Sequence, residues 1–133
     1  MDQELVGVWS ADHMYGPGAQ SDEVLIFKSD GTGRLDFINF VLCTSYAFMW
    51  DIGSTNHLNL VGTKTLQIGD DGETIAESDH KLSLSKAQFR IALEDTPSGT
   101  TMRVFRIKLM DGMSDHFGFV RSDISGFEEP CFD

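Results

Sequence analysis

Four histidines, two cysteines and a large excess of carboxylates are the groups in this 133-residue chain with chemistry to offer. Two histidines follow an aspartate, as Asp79-His80 and Asp115-His116. A carboxylate beside an imidazole can orient it for acid–base work or for a metal. Neighbouring residues of an extended strand point to opposite faces, so neither pair is expected to form a dyad there. His13 and His57 stand apart from both. Asp70-Asp71-Gly72-Glu73 gathers oxygens without the alternating spacing of a calcium loop, and reads as a hairpin turn. No nucleophile elbow, phosphate-binding loop, dinucleotide fingerprint or zinc-spaced Cys/His set is present. The sequence therefore predicts no catalytic residue, no metal site and no cofactor.

Binding chemistry is better represented. Thr44 to Ile52 alternates cleanly and sets Tyr46, Phe48, Trp50 and Ile52 on one face. In a closed sheet that face turns inward, toward Leu58, Leu60, Phe89, Ile91 and Phe105. These side chains either fill the interior as core or line an apolar pocket with Tyr46 as its polar handle. The loop 11–22 carries Met14 and Tyr15, which suit an adaptable lid at the mouth of such a pocket.

The elements that would hold these residues are strands throughout. Glu4 to Ser10, Glu23 to Ser29 and Gly33 to Val41 are apolar runs parted by Gly/Pro-rich or Asp-Gly segments. His57 to Val61, Thr63 to Ile68, Lys81 to Glu94, Thr100 to Met110 and His116 to Arg121 follow. Asp30-Gly31, Asp71-Gly72 and Asp111-Gly112 mark reversals because both residues tolerate positive φ, and Thr96-Pro97-Ser98-Gly99 marks another. Short connections force antiparallel neighbours. The pattern predicts one all-β domain over 1–133, an antiparallel up-and-down meander of about eight to ten strands. Closure into a barrel would remove its two exposed edges. The acidic C-terminal segment 122–133 is expected along the barrel wall, since Pro130 argues against a further central strand.

Twenty-one acidic residues against ten basic ones give a formal net charge of -11. Such a chain is repelled by nucleic-acid phosphates and anionic membranes, and suits either plain solubility or a basic protein partner. No apolar run reaches the ~18 residues of a membrane span. The acidic start Met1-Asp2-Gln3-Glu4 does not read as a signal peptide, so the chain reads as cytoplasmic, or as secreted or periplasmic if a leader has been removed. A reducing compartment favours two buried thiols at Cys43 and Cys131 over a disulfide.

The opening Leu5-Val6-Gly7-Val8-Trp9-Ser10 resembles the Gly-x-Trp start of lipocalins and their calycin relatives. The later runs Asp30-Gly31-Thr32-Gly33 and Phe48-Met49-Trp50-Asp51-Ile52 are similar to small bacterial lipocalin-like domains. The resemblance implies that Trp9, with Gly7, plugs the closed end of a barrel and that Arg121 packs across it. It also implies that a disulfide could tie the C-terminal segment to the wall. It departs from fatty-acid-binding proteins, whose helix pair is replaced by the loop 11–22, and from haem-binding barrels, whose longer glycine pattern is missing. Two functions follow as expectations: a non-enzymatic binding domain for a small apolar ligand, or an acidic inhibitor or immunity-type protein that binds a basic partner.

Overall fold

The computed structural model describes residues 4–11, 21–39, 42–54, 56–69, 73–78, 81–109 and 114–124. Among them there is no helix, and none long and apolar enough to cross a membrane. The strands are β1 (Gly7–Ser10), β2 (Ser21–Phe27), β3 (Thr32–Asn39), β4 (Leu42–Ser54), β5 (His57–Gly69), β6 (Thr74–Ser78), β7 (Leu84–Gln88), β8 (Arg90–Asp95), β9 (Thr101–Arg106) and β10 (His116–Arg121). All pairings are antiparallel, and the hydrogen-bonded path runs β6-β5-β4-β3-β2-β1-β10-β9-β8, with β7 beside β5. The chain is thus the expected antiparallel meander, and its continuous path ends at β6 and β8.

The Asp30-Gly31 turn forms for the reason its residues suggest. Gly31 sits at φ +90°, and the Asp30 carboxylate accepts hydrogen bonds from the Thr32 N–H (2.9 Å) and hydroxyl (2.6 Å). Those bonds, the hydroxyl's first, hold the Asp30 carboxyl below its ordinary range. Gly7 has φ +137°, and a Cβ there would lie 2.5 Å from the Arg121 carbonyl oxygen, so only glycine lets β1 meet β10 at this point.

β5 does not behave as two strands in one phase. It is a single 13-residue strand whose pairing with β4 slips between Ala47/Phe48, where Thr63 is the extra residue. Leu58 and Leu60 face the same side as Trp50 and Phe48, whereas beyond the slip Thr65 stands opposite Tyr46 and Gln67 opposite Thr44. Leu66 and Ile68 are thereby moved to the other face. The slip is also where β5 changes partner: Leu58 and Leu60 pair with β7, while Thr65 to Ile68 pair with β6. The linking segment crosses so closely that a Cβ on Gly62 would come within 2.7 Å of the Leu82 carbonyl oxygen, and the Gly62 N–H donates to the Ser83 hydroxyl.

Apolar side chains occupy both faces of the sheet. The main core collects Trp9, Leu25, Phe27, Leu35, Phe48 and Phe105 with neighbours from β5 and β7 to β10. On the opposite face Val8, Val24 and Ile26 are buried, with Ile38, Val120 and Ile124 packed on them. This double burial is why Val24 to Phe27 is an unbroken apolar run. The same outer face buries an ion pair, Arg34 Nε to Asp36 Oδ2 at 2.9 Å, with the Ser45 hydroxyl donating to Asp36 Oδ1 at 2.6 Å. Ile124 is the last described residue of the acidic segment; the expectation for 125–133 lies outside the described residues. Cys43, also on this face, is disulfide-bonded, which corrects the expectation of a buried thiol. The one other cysteine of the sequence, Cys131, is outside the described residues.

Candidate functional site

All eight side chains expected to line an interior belong to one cluster. Phe48, Trp50, Leu58, Leu60, Phe89 and Phe105 are buried, and Tyr46 and Ile91 are partly buried against them. β3, β4 and β5 bring Tyr46, Phe48 and Trp50 to that face by simple alternation in register with Leu35 and Gly33. Met14 and Tyr15 of the mouth loop are outside the described residues; the described part of that loop is shorter than expected, because β2 begins at Ser21.

The core face of the sheet has two unlike halves. At the end carrying the turns 28–31 and 96–99, aromatic rings pack edge to face. Phe27 lies 5.1 Å from Trp50 and 5.8 Å from both Phe48 and Phe105, centroid to centroid. Phe105 also meets Trp9 and Phe89 at 5.5 Å each. These separations are those of favourable tilted and T-shaped pairs in contact, so here the rings fill the space. The polar atoms in this half are partnered: Trp9 Nε1–H donates to the Leu5 carbonyl at 3.0 Å, and Trp50 Nε1–H to the Lys28 and Thr32 carbonyls at 3.1 Å each.

The arginine over Trp9 is Arg103 of β9, whose guanidinium carbon is 5.8 Å from the Trp9 centroid and 4.0 Å from that of Phe119. Arg121 is exposed and stands opposite Val8 in the ladder. Arg103 shares the phase of Phe105 and Ile107 and so faces the core, whereas Arg121 alternates with the core residues Phe117 and Phe119 but is set opposite outward-facing Val8 by the register slip between Val8 and Trp9. The alternation of Arg103 with Phe105 and Ile107 was the signal in the sequence for its place.

Toward the opposite end the inward positions change character. Going up β4 and β5, Tyr46 faces Thr65 and Thr44 faces Gln67; on β2, Glu23 follows the phase of Leu25. Glu23 Oε1 accepts the Ser114 N–H at 2.7 Å. Thr65 is 1% exposed, and its hydroxyl is the one buried side-chain polar atom among the described residues with no hydrogen-bond partner. Burial pushes the Tyr46 phenol above its ordinary pKa, so it stays protonated and able to donate well beyond neutral pH. The connections at this end, 12–20, 40–41, 70–72 and 110–113, are outside the described residues.

Other chemistry lies elsewhere. Contrary to expectation, Asp115 and His116 do pair: His116 Nδ1 is 2.7 Å from Asp115 Oδ1. β10 begins at His116, so Asp115 is outside the extended strand and the opposite-faces argument does not reach it. The hydrogen bond from His116 holds the Asp115 carboxyl below its usual range. The pair is on the outer wall, where His116 stands opposite Arg106 and Arg106 grips Glu94 at 2.6 and 2.8 Å. It can orient an imidazole but faces no enclosed space. His13, His80 and the 70–72 part of the acidic turn are outside the described residues, and among those described no three His, Cys, Asp or Glu side chains gather for a metal. A groove of about 430 Å³ on the outer face is lined by Lys28, Thr32, Arg34, Met49 and Thr63 with Phe48 at its base. Of its two charged lining residues, Lys28 and Arg34, the latter is paired with Asp36. No protein family, curated protein or solved structure gives a match to this chain.

Proposed function

We propose that the chain is a non-enzymatic, lipocalin-like β-barrel that takes a small, largely apolar ligand in the half of its interior remote from Trp9. Closure is supported by the segment 84–95. β7 pairs with β5, β8 pairs with β9, and only Phe89 separates them. The Phe89 N–H donates to the Asn56 carbonyl at 2.9 Å, continuing the contact with the β4–β5 turn. Taken as one bent strand, 84–95 links the two arms of the sheet into a ring of eight, with β6 as a flap on the far half of β5. Eight strands give an interior that side chains can fill or that holds one small ligand.

The observation that carries the binding reading is the division of that interior. Aromatic rings seal the Trp9 end, while the other end leaves Tyr46 partly covered and a threonine hydroxyl buried without a partner. A protein shaped only by stability would be expected to fill both halves alike, since an unmatched buried polar atom costs about 1–3 kcal/mol. The non-enzymatic reading belongs to the same proposal: His116, paired with Asp115, is on the outer wall.

Titration with Nile red, an uncharged apolar dye, tests the reading. Saturable one-to-one binding with a blue-shifted emission is expected, abolished by filling the upper half with Thr65→Trp but retained in the surface variant Met49→Ala. Absence of binding, together with a crystal structure in which the space above Phe48 is solidly packed, overturns it.

A further inference from the structure

Resting on that reading, we infer that Thr65 and Tyr46 form a polar subsite for one neutral oxygen, a hydroxyl or carbonyl, on a compact apolar ligand. Thr65 is directly opposite Tyr46 on β4 and opposite Ser78 on β6, so these side chains share the inward face. Its hydroxyl is fully buried with no partner, beside a phenol that is only partly covered. The Thr63 slip puts it there: in unbroken register from Phe48 and Gly62, Lys64 would stand opposite Tyr46 and Thr65 would face outward. A bulge that exchanges a lysine for a threonine opposite Tyr46 re-aims a side chain, which is the use such irregularities commonly serve.

The chemistry of the pair selects the ligand. A hydroxyl and a protonated phenol can each donate to and accept from a neutral oxygen. Neither carries the charge needed to offset the desolvation of an ionised group. A carboxylate head is disfavoured further by Glu23, which follows the inward phase of Leu25 on β2, and by the chain's net charge of -11. The apolar body of the ligand would rest on Phe48 and Leu35, the residues in register below and beside Tyr46.

Displacement of Nile red by naphthalene, 2-naphthol and 2-naphthoate measures this directly on the full chain. The wild type should bind 2-naphthol about 3–10-fold more tightly than naphthalene, the worth of one buried hydrogen bond, and 2-naphthoate least of the three. Thr65→Val should erase the preference for 2-naphthol without weakening Nile red or naphthalene. Thr65→Ser, which keeps the hydroxyl, should retain it, and Tyr46→Phe should reduce it. If Nile red and naphthalene bind and Thr65→Val leaves the 2-naphthol preference intact, the subsite is wrong while the binding domain stands. The same holds if a crystal soaked with 2-naphthol shows only a water on the Thr65 hydroxyl. If none of the compounds binds, the binding domain itself is wrong and the subsite falls with it.

Discussion

The two halves of the core face are built from the same strands by opposite rules. Near Trp9, rings from β1, β2, β4 and β9 meet at 5 to 6 Å, and each indole N–H finds a carbonyl of the backbone. Above Phe48, the inward residues of β4 and β5 are Tyr46, Thr44, Thr65 and Gln67, and one hydroxyl is left unmatched. Where every polar atom is answered, the arrangement serves stability. Where one is not, the fold retains a cost, which a ligand would remove under the proposed function. The comparison can be attacked by mutating each half and asking whether stability responds in opposite directions.

Phe105→Ala should have the largest effect. Phe105 is wholly buried and touches Trp9, Phe27, Phe89 and Phe117, so its loss leaves a cavity that four packed rings cannot close. A loss of about 3–5 kcal/mol in urea unfolding is expected. A loss under about 1 kcal/mol would mean that the sealed half is not well packed. Trp50→Phe comes next, at about 2 kcal/mol: it removes buried ring volume and the N–H that staples β4 to the β2–β3 turn. Thermal unfolding followed beside Phe105→Ala would place the two in order.

Thr65→Val should reverse the sign. It replaces an unmatched buried hydroxyl by a methyl of the same shape, so the ligand-free protein should gain about 1 kcal/mol. A loss of similar size instead would show that the hydroxyl is satisfied in solution, and the contrast between the halves would disappear. The same substitution weakens binding of 2-naphthol, so stability and affinity move apart at this position alone.

How far the sequence carries this contrast depends on phase. Tyr46, Phe48 and Trp50 were legible because β4 keeps strict alternation against β3 from Thr32 to Asn39. Phe105 and Ile107 were legible for the same reason. Thr65 was not, because a one-residue slip at Thr63 inverts every side chain after it, and nothing in Gly62-Thr63-Lys64 distinguishes a bulge from a turn. Leu66 and Ile68, the apolar residues of this segment, stand opposite Ser45 and Cys43 on the outward face. Arg103 is in phase with the core, but a charge reads as surface in sequence, whereas here the arginine lies over aromatic rings and is half-covered. The buried Arg34–Asp36 pair was hidden similarly: a charged i, i+2 pair reads as solvated surface until a second apolar layer covers it. The disulfide at Cys43 was inferred away from the assumed compartment rather than from the chain. Asp115-His116 failed at a boundary, since the argument needed both residues inside the strand.

The smallest expected effect concerns the outer wall of the sealed half, where the β8–β9 hairpin is held by Arg106 against Glu94. The hydrogen bond from Arg106, aided by the charges of Arg106 and Arg90, lowers the Glu94 pKa from its ordinary 4.5. A carboxylate lowered in the folded state adds stability above its unfolded pKa and loses it as pH falls through the folded one. The contribution should therefore be complete at neutral pH and decline below about pH 4.5. Arg106 is substantially exposed, so screening keeps the pair below about 1 kcal/mol, and 0.5 M salt should shrink it further. Glu94→Gln should flatten the acid limb of the stability curve slightly and leave 2-naphthol affinity unchanged, because the pair faces away from the interior. A change in that affinity would mean that the walls of the two halves are mechanically coupled, and the interior would then have to be treated as one unit instead of a packed floor beneath a separate binding space.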